Sequence, residues 1–308
     1  MQQAKETAMF RYILLLLLTS FSLTAQAWVE FKLEGGHIKM PITANGIEAY
    51  AILDTGSQLN AINNRFRKAH NLDLKTGNKI EVVGVYGKET RSTYNGLNVG
   101  MFGTEVKMDG LAGLNFGGSD VAILLGETFL EQFIVQIDYP NSRLRIVPHD
   151  TWDMSEIENI KLVKQRGTGK PLVSVTMNKE VDVWLLLDTG NAGGVMVERS
   201  LAKSNGWLKE YETTELYARG ANTSGINEAF RISELQFGPY ALEDVLVTVP
   251  AEGESANIAE TKQASFSRIK GKRVRGILGY DVLQHFLLTI DYRSGNANIS
   301  IPPPASQS

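Results

Sequence analysis

An Asp-Thr-Gly triplet occurs twice in this chain, beginning at Asp54 and at Asp188, almost half of the chain apart. Each triplet follows an apolar run, residues 50–53 and residues 184–187. A carboxylate at the end of a buried strand is costly, but two carboxylates that share a site can keep one proton between them and act as an acid–base pair. The half-chain spacing therefore suggests two copies of one fold that place two aspartates face to face.

Short strands must position these aspartates. Residues 38–42 and residues 172–175 are strand-like, and a polar turn separates each from the apolar run that carries the aspartate. Polar turns between short alternating runs indicate β-hairpins. After the triplets, residues 64–69 and residues 198–203 resemble one or two turns of helix.

Gly126 and Gly279 open a second repeated segment. The two copies align without a gap, and each runs from the glycine to an aspartate at the same spacing, Asp138 or Asp291 (138 − 126 and 291 − 279). An internal repeat that takes up nearly half of the chain indicates a duplicated domain rather than a solenoid of small units.

Strand-like segments dominate, so the sequence predicts an all-β fold in two similar lobes, residues 28–150 and residues 151–308, the second ending in a disordered Pro-rich tail. The segment between triplet and glycine is longer in the second lobe than in the first. Most of the extra length falls in residues 251–275, a polar stretch with a basic end and acidic residues close by. This mixture predicts a solvated surface loop rather than a nucleic-acid site.

The composition is that of an ordinary globular protein of 308 residues, 43% hydrophobic and 21% charged, with a formal charge of −3. This near-neutral balance predicts neither nucleic acid nor an anionic membrane as a partner. Four histidines are scattered along the chain and cysteine is absent, so no disulfide can form and we expect neither a metal site nor a cofactor.

Residues 1–27 have the three parts of a secretory signal: a basic start with Lys5 and Arg11, a short apolar core, and a final Ala-x-Ala. Met9 could be the true start, and an uncleaved anchor is the alternative interpretation. With cleavage, the mature chain begins near Trp28 in an exported compartment, periplasmic or secreted, without further membrane contact. The absence of disulfides favours a bacterial periplasm.

Aspartic peptidases carry a hydrophobic-hydrophobic-Asp-Thr-Gly motif and a later hydrophobic-hydrophobic-Gly motif in each half of the active unit. The matching segments here are Leu53-Asp54-Thr55-Gly56 with Leu124-Leu125-Gly126, and Leu187-Asp188-Thr189-Gly190 with Ile277-Leu278-Gly279. Over essentially all of the mature protein the chain resembles this superfamily of retropepsin-like and pepsin-like enzymes. The lobe size and the short helix after each triplet look like two fused retropepsin-like lobes in one chain, of bacterial type, around a pseudo-twofold axis.

The resemblance implies an aspartic endopeptidase that acts as a monomer on a peptide or protein, with a water held between Asp54 and Asp188. It also implies that the two threonines interlock across the axis, that the glycines after them let the backbone approach the carboxylates, and that each Leu-Gly segment supports an aspartate loop from behind. These supporting residues are Thr55, Gly56, Thr189, Gly190, Leu125, Gly126, Leu278 and Gly279.

Ser57 follows the first triplet, and Asn191 stands where pepsin-like members usually have a small hydroxyl residue. Such a hydroxyl can hydrogen-bond the carboxylate and lower its pKa. If Asn191 does not reach the carboxylate, the active range should extend towards neutral pH, and Asn191→Ser should shift it downward. Candidate substrate-covering flaps are the hairpin tip with Tyr86 and Gly87 in the first lobe and the segment with Tyr217 in the second.

Two other functions remain open from the sequence. Actin-like ATPases also pair Asp-x-Gly turns from two halves, but that fold needs long helices between its strands. A peptide-binding protein could keep the fold without activity, although loss of an aspartate or a threonine would then be expected, and both copies of each are present.

Overall fold

The structure is a computed structural model that describes residues 27–165, 168–220, 223–258 and 272–303. Of the described residues, 53% lie in strands and 11% in helices, which confirms the predicted all-β class and is consistent with a retropepsin-like fold. Nearly all of the predicted signal, the basic end of the 251–275 segment up to residue 271, and the end of the tail from residue 304 lie outside the described residues.

Within the described ranges, the first half contains thirteen strands and two helices. They are β1 (Val29–Glu30), β2 (Lys32–Glu34), β3 (His37–Ala44), β4 (Ile47–Leu53), β5 (Ala61–Asn63), α1 (Asn64–Ala69), β6 (Lys75–Gly84), β7 (Gly87–Asn95), β8 (Leu97–Met101), β9 (Thr104–Met108), β10 (Leu111–Leu114), β11 (Val121–Leu125), α2 (Glu127–Leu130), β12 (Ile134–Asp138) and β13 (Arg143–Val147).

A short helix, α3 (Met154–Ile157), leads into the second half. The later elements are β14 (Ile160–Lys164), β15 (Pro171–Met177), β16 (Val181–Leu187), β17 (Val195–Val197), α4 (Arg199–Ser204), α5 (Trp207–Glu210), β18 (Thr214–Arg219), β19 (Ser224–Phe237), β20 (Tyr240–Pro250), β21 (Val274–Leu278), α6 (Tyr280–Leu283), β22 (Leu287–Asp291) and β23 (Asn296–Ser300).

The predicted hairpins that lead to the aspartates are present in both halves. β3 pairs antiparallel with β4, and β15 with β16. The first turn places Asn45 at φ 47° and Gly46 at φ 77°, and the second places Asn178 at φ 51° and Lys179 at φ 63°. Asparagine and glycine tolerate this left-handed region better than most residues do, so these turns close where the sequence predicts.

In each half, one strand, here called the threaded strand, lies between the strand that leads to the aspartate and the strand that follows the triplet. β11 lies between β4 and β5, parallel to the first and antiparallel to the second. β21 lies between β16 and β17 in the same two orientations. The repeated glycines, Gly126 and Gly279, follow the two threaded strands directly. The repeat found in the sequence therefore corresponds to a repeated strand arrangement.

Strands from the two halves join in one sheet. β2 to β11 form a ten-stranded sheet, whereas β1 and β12 to β23 form a thirteen-stranded sheet. β12 and β22 are antiparallel neighbours in the latter, with Gln136 opposite Thr289 at the centre of the pair. The halves are thus connected by a continuous hydrogen-bonded ladder, and the boundary between residues 28–150 and 151–308 stays a prediction.

A large apolar core runs through both halves, and two smaller clusters lie beside the aspartate strands. We call them the first wall and the second wall. The first wall consists of Ile52, Ala61, Ala112, Leu114, Val121 and Leu124. The second wall consists of Leu172, Leu186, Met196, Ile258, Val274 and Ile277.

Three findings bear on the other expectations from sequence. The longest helices among the described residues have six residues, so the long helices that the actin-like alternative requires are not found there. No helix in the described ranges is long and apolar enough to cross a membrane.

The expectation of a solvated loop over residues 251–275 is wrong in part. Ala251 is only 8% exposed and Ile258 only 6% exposed, and Ile258 packs into the second wall.

Candidate active site

Asp54 and Asp188 follow the ends of β4 and β16, where the parallel neighbouring strand fixes their main chains. The Asp54 amide donates to Leu125 O at 3.0 Å, and the Asp188 amide donates to Leu278 O at 2.9 Å. Each Leu-Gly segment therefore holds one aspartate in place through the backbone, independently of the side chains.

The two carboxyl groups face one another across the two halves. A Cβ added to Gly56 would lie 2.6 Å from Asp188 Oδ1, and one added to Gly190 would lie 2.6 Å from Asp54 Oδ1. Any other residue at either glycine would collide with the carboxyl group of the opposite half. The main-chain amides of these glycines donate to the carboxyl of their own half, at 2.9 Å for Gly56 to Asp54 and 2.8 Å for Gly190 to Asp188.

Thr55 and Thr189 interlock beneath the carboxyl groups and are both 1% exposed. Thr55 Oγ1 donates to Leu187 O at 2.6 Å and accepts from the Thr189 amide at 3.0 Å. Thr189 Oγ1 donates to Leu53 O at 2.9 Å and accepts from the Thr55 amide at 3.1 Å. These four reciprocal hydrogen bonds fix the distance between the two aspartate loops.

Burial raises the pKa of Asp188 well above its ordinary value, and the neighbouring charge of Asp54 and a hydrogen bond with that carboxyl raise it further. The amide of Gly190 and the positive charge of Lys170 oppose this shift with smaller effects. Asp188 therefore retains a proton that a solvent-exposed carboxyl would have released, as expected where two carboxyl groups share a buried site.

The loops after the two threaded strands pass directly behind the aspartate loops. The Glu127 amide donates to Ser57 O, and the Tyr280 amide donates to Asn191 O, both at 2.8 Å. A Cβ on Gly126 would lie 2.8 Å from Ser57 O, and one on Gly279 would lie 2.6 Å from Asn191 O. Close backbone contact explains why glycine stands at both positions.

Ser57 and Asn191 bond to the backbone rather than to the carboxyl groups. The Ser57 hydroxyl donates to Leu59 O at 2.9 Å, so its only proton is not directed at Asp54. Asn191 Oδ1 accepts from the Gly193 amide at 3.1 Å. The hydrogen bond from Ser57 to the carboxylate that the resemblance implies is therefore replaced by a local turn.

The candidate flap residues lie on two hairpins. Tyr86 and Gly87 lie at the tip of the β6–β7 hairpin, where Gly84 pairs with Gly87. Tyr217 lies in β18, which pairs with β19, and its side chain is 77% exposed. The two hairpins are in contact, since Asn227 Nδ2 on β19 donates to Tyr86 Oη at 2.9 Å.

Some residues near the aspartates are not evident from the triplets. Tyr139 and Tyr292 are buried, and burial raises the pKa of both phenols, with a smaller contribution from the negative charge of Asp188. The repeated Ile-Asp-Tyr block could have located this pair. Burial lowers the pKa of His37 while Asp54 opposes the shift, and no sequence signal indicates that contact.

The described part of the chain contains no group of three or more His, Asp or Glu side chains that could hold a metal ion. The expectation that the site needs neither a metal nor a cofactor stays a prediction from the sequence.

Comparison with known proteins adds an independent observation about the second half. Residues 173–282 match the aspartyl protease family model. The matched segment contains the second triplet and Gly279, so this part of the chain is similar to aspartyl proteases. No curated protein matches the chain.

Proposed function

We propose that this protein is an aspartic endopeptidase in which Asp54 and Asp188 together activate a water molecule. The observation that carries the proposal is the reciprocal approach of each triplet to the carboxyl of the other half, at Gly56 and at Gly190. Such an arrangement places two carboxyl groups around one small site, where a water can contact both.

The two carboxyl groups hold one proton between them at the start of the reaction, and we place it on Asp188, whose pKa is raised by burial and by the neighbouring Asp54. In this mechanism Asp54 accepts a proton from the water, whose oxygen attacks the carbonyl carbon of the scissile peptide. Asp188 donates its proton to the carbonyl oxygen, which gives a neutral tetrahedral intermediate without a covalent link to the enzyme. Asp54 then donates this proton to the leaving nitrogen as the carbon–nitrogen bond breaks, and a hydroxyl of the intermediate returns a proton to Asp188, which restores the starting protonation of the pair.

The substrate would be an extended peptide segment of a protein or peptide. Apolar side chains form both walls beside the aspartates, which favours apolar substrate side chains next to the cleaved bond. Since both aspartates belong to one chain, we propose that the monomer is active. We also propose export to the periplasm or outside the cell, on the strength of residues 1–27 alone.

A single assay tests the activity. The protein lacking residues 1–27 is incubated with a mixture of unstructured peptides, with and without a statine-type transition-state analogue, and products are identified by mass spectrometry. Internal cleavage that the analogue blocks and a chelator does not block supports the proposal. Binding of peptides without cleavage by freshly folded protein would instead identify a peptide-binding protein.

A further inference from the structure

The β6–β7 hairpin crosses from one half of the molecule to the other. Ile80 and Val82 of β6 pack against the first wall, whereas Val85 and Tyr86 at the tip pack against the second wall. Each wall includes a residue two positions before an aspartate, Ile52 in the first and Leu186 in the second. The hairpin therefore bridges the two walls, and a hairpin in this position would cover the space between the two aspartates.

A segment of the second half lies against the main chain of this tip. The Asn257 amide donates to Val85 O at 2.6 Å, and Asn257 Nδ2 donates to Gly84 O at 3.3 Å. Ala256 and Ile258 on either side pack into the same apolar cluster as Val85. We name residues 256–258 the strap segment.

Tyr86 gives the tip a second attachment. Its hydroxyl bonds with the amide group of Asn227, which is only 4% exposed. Its ring covers Gly225, where a Cβ would lie 2.6 Å from Cδ1. The tip is thus held by backbone hydrogen bonds at Val85 and Gly84 and by a side chain at Tyr86, all three to the second half.

The strap segment belongs to a connection that differs between the halves. In the second half, residues 251–273 join β20 to β21, whereas residues 115–120 join the corresponding β10 and β11 in the first half. This connection contains most of the length that distinguishes the second half from the first. Its residues Asn257 and Ile258 supply the contacts to the hairpin tip and to the second wall.

We propose that the strap segment holds the β6–β7 hairpin closed over the aspartates, so that Asn257 is a positioning residue that controls access of peptide to the site. The effect on peptide access rests on the proposed peptidase function. The contact between the strap segment and the hairpin does not depend on it. Release of Asn257 should let the tip open more often and admit peptide faster.

The first test follows the hairpin without reference to activity. Asn257→Pro removes the amide that donates to Val85, and Ser255→Pro is the matched control at an exposed position of the same connection. Hydrogen exchange of peptides covering residues 80–90 should be at least about tenfold faster in Asn257→Pro, as expected for the loss of its hydrogen bonds to Val85 and Gly84, and unchanged in Ser255→Pro. Ile258→Ala, which weakens the apolar contact instead, should also accelerate exchange there. Wild-type exchange in both Asn257→Pro and Ile258→Ala would overturn the proposal.

The second test uses a quenched-fluorescence peptide substrate. Asn257→Pro should raise kcat/KM severalfold with kcat nearly unchanged, because the dyad and its loops are not altered. Faster exchange with an unchanged or lower kcat/KM would overturn control of access. If neither wild type nor variant cleaves any peptide while exchange is accelerated, the peptidase proposal fails and the contact between strap segment and hairpin stands.

Discussion

Gln136 Nε2 donates a hydrogen bond of 2.8 Å to Thr289 Oγ1 between the two strands that join the halves. These residues face one another at the centre of the β12–β22 ladder, in which Ile134 pairs with Asp291 and Asp138 pairs with Leu287. Exchanging the two halves therefore gives the same residue pairs. A pseudo-twofold axis of this ladder passes between Gln136 and Thr289. The contacts between the aspartate loops are reciprocal in the same way, since each threonine hydroxyl accepts from the amide of the other.

Asp54→Asn and Asp188→Asn should each lower kcat/KM by at least about 10³-fold, because acid–base groups contribute about 10²–10⁴ and the pair would lose one of its two proton-transferring groups. The fold should be retained, since asparagine has nearly the same shape. Steady-state kinetics on a cleaved peptide measure the loss, with Asp73→Asn at an exposed position as the control. Activity above about a thousandth of wild type in either variant would contradict the shared-dyad mechanism.

The stability of the wild type should depend on pH through Asp188. Because its pKa is raised in the folded state, the folded protein holds a proton that the unfolded chain releases above about pH 3.8. The free energy of unfolding should therefore fall as the pH rises from there, by up to about 1.4 kcal/mol per pH unit. Asp188→Asn lacks this group, so its stability relative to wild type should increase between pH 4 and 7. Urea denaturation of both proteins at several pH values decides this, and parallel pH dependences would refute it.

Thr189→Val should destabilise the protein by about 2–5 kcal/mol, because it leaves the Thr55 amide and Leu53 O buried without partners. Thr189→Ser keeps the hydroxyl and should cost much less. Equilibrium denaturation of the two variants separates loss of the hydrogen bonds from loss of the methyl group. Equal destabilisation by valine and serine would show that the reciprocal hydrogen bonds are unimportant.

The pH–rate profile should be bell-shaped with a mildly acidic optimum, because neither Ser57 nor Asn191 hydrogen-bonds a carboxyl group. The structure changes the expectation for Asn191→Ser. A serine there should bond to the backbone as Ser57 does, and the optimum should stay where it is. Profiles of wild type and Asn191→Ser test this, and a downward shift of about one pH unit would support the direct carboxylate contact instead.

Tyr139→Phe should leave the stability unchanged or raise it. The hydroxyl is buried and has no hydrogen-bond partner among the described residues, while the ring packs against Phe31 and Tyr280. Removal of an unpaired buried hydroxyl abolishes a desolvation cost of about 1–3 kcal/mol and keeps the packing. Thermal unfolding is the measurement. A marked loss of stability would mean that a bridging water or a hydrogen bond satisfies this hydroxyl.

Local sequence predicts the parts of the site that backbone geometry dictates. Gly56 and Gly126 are required by close contacts, and their counterparts recur at Gly190 and Gly279, so the repeat is visible in the sequence. α1 begins and ends where the sequence predicts, since the Asn63 side chain accepts from the Arg65 amide at its start.

Contacts between the halves could not be predicted in the same way. Asn257 bonds to Val85 although more than half of the chain separates the two in sequence, and no local pattern encodes such a contact. The side chain of Ser57 was expected to bond a carboxylate, but a nearby carbonyl competes successfully for its single proton. The direction in which a hydroxyl donates depends on the acceptors around it in the folded protein, and the residue type alone does not identify these acceptors.

The unequal connections β10–β11 and β20–β21 have a consequence for how this protein can change. In a symmetric dimer every mutation appears twice and alters both sides of the cleft together. Here a mutation near Asn257 affects the β6–β7 hairpin only. The β18–β19 hairpin with Tyr217 is encoded separately and does not change with it. Selection or engineering can therefore alter the two rims of the cleft independently, and recognition of the residues before and after the cleaved bond can diverge.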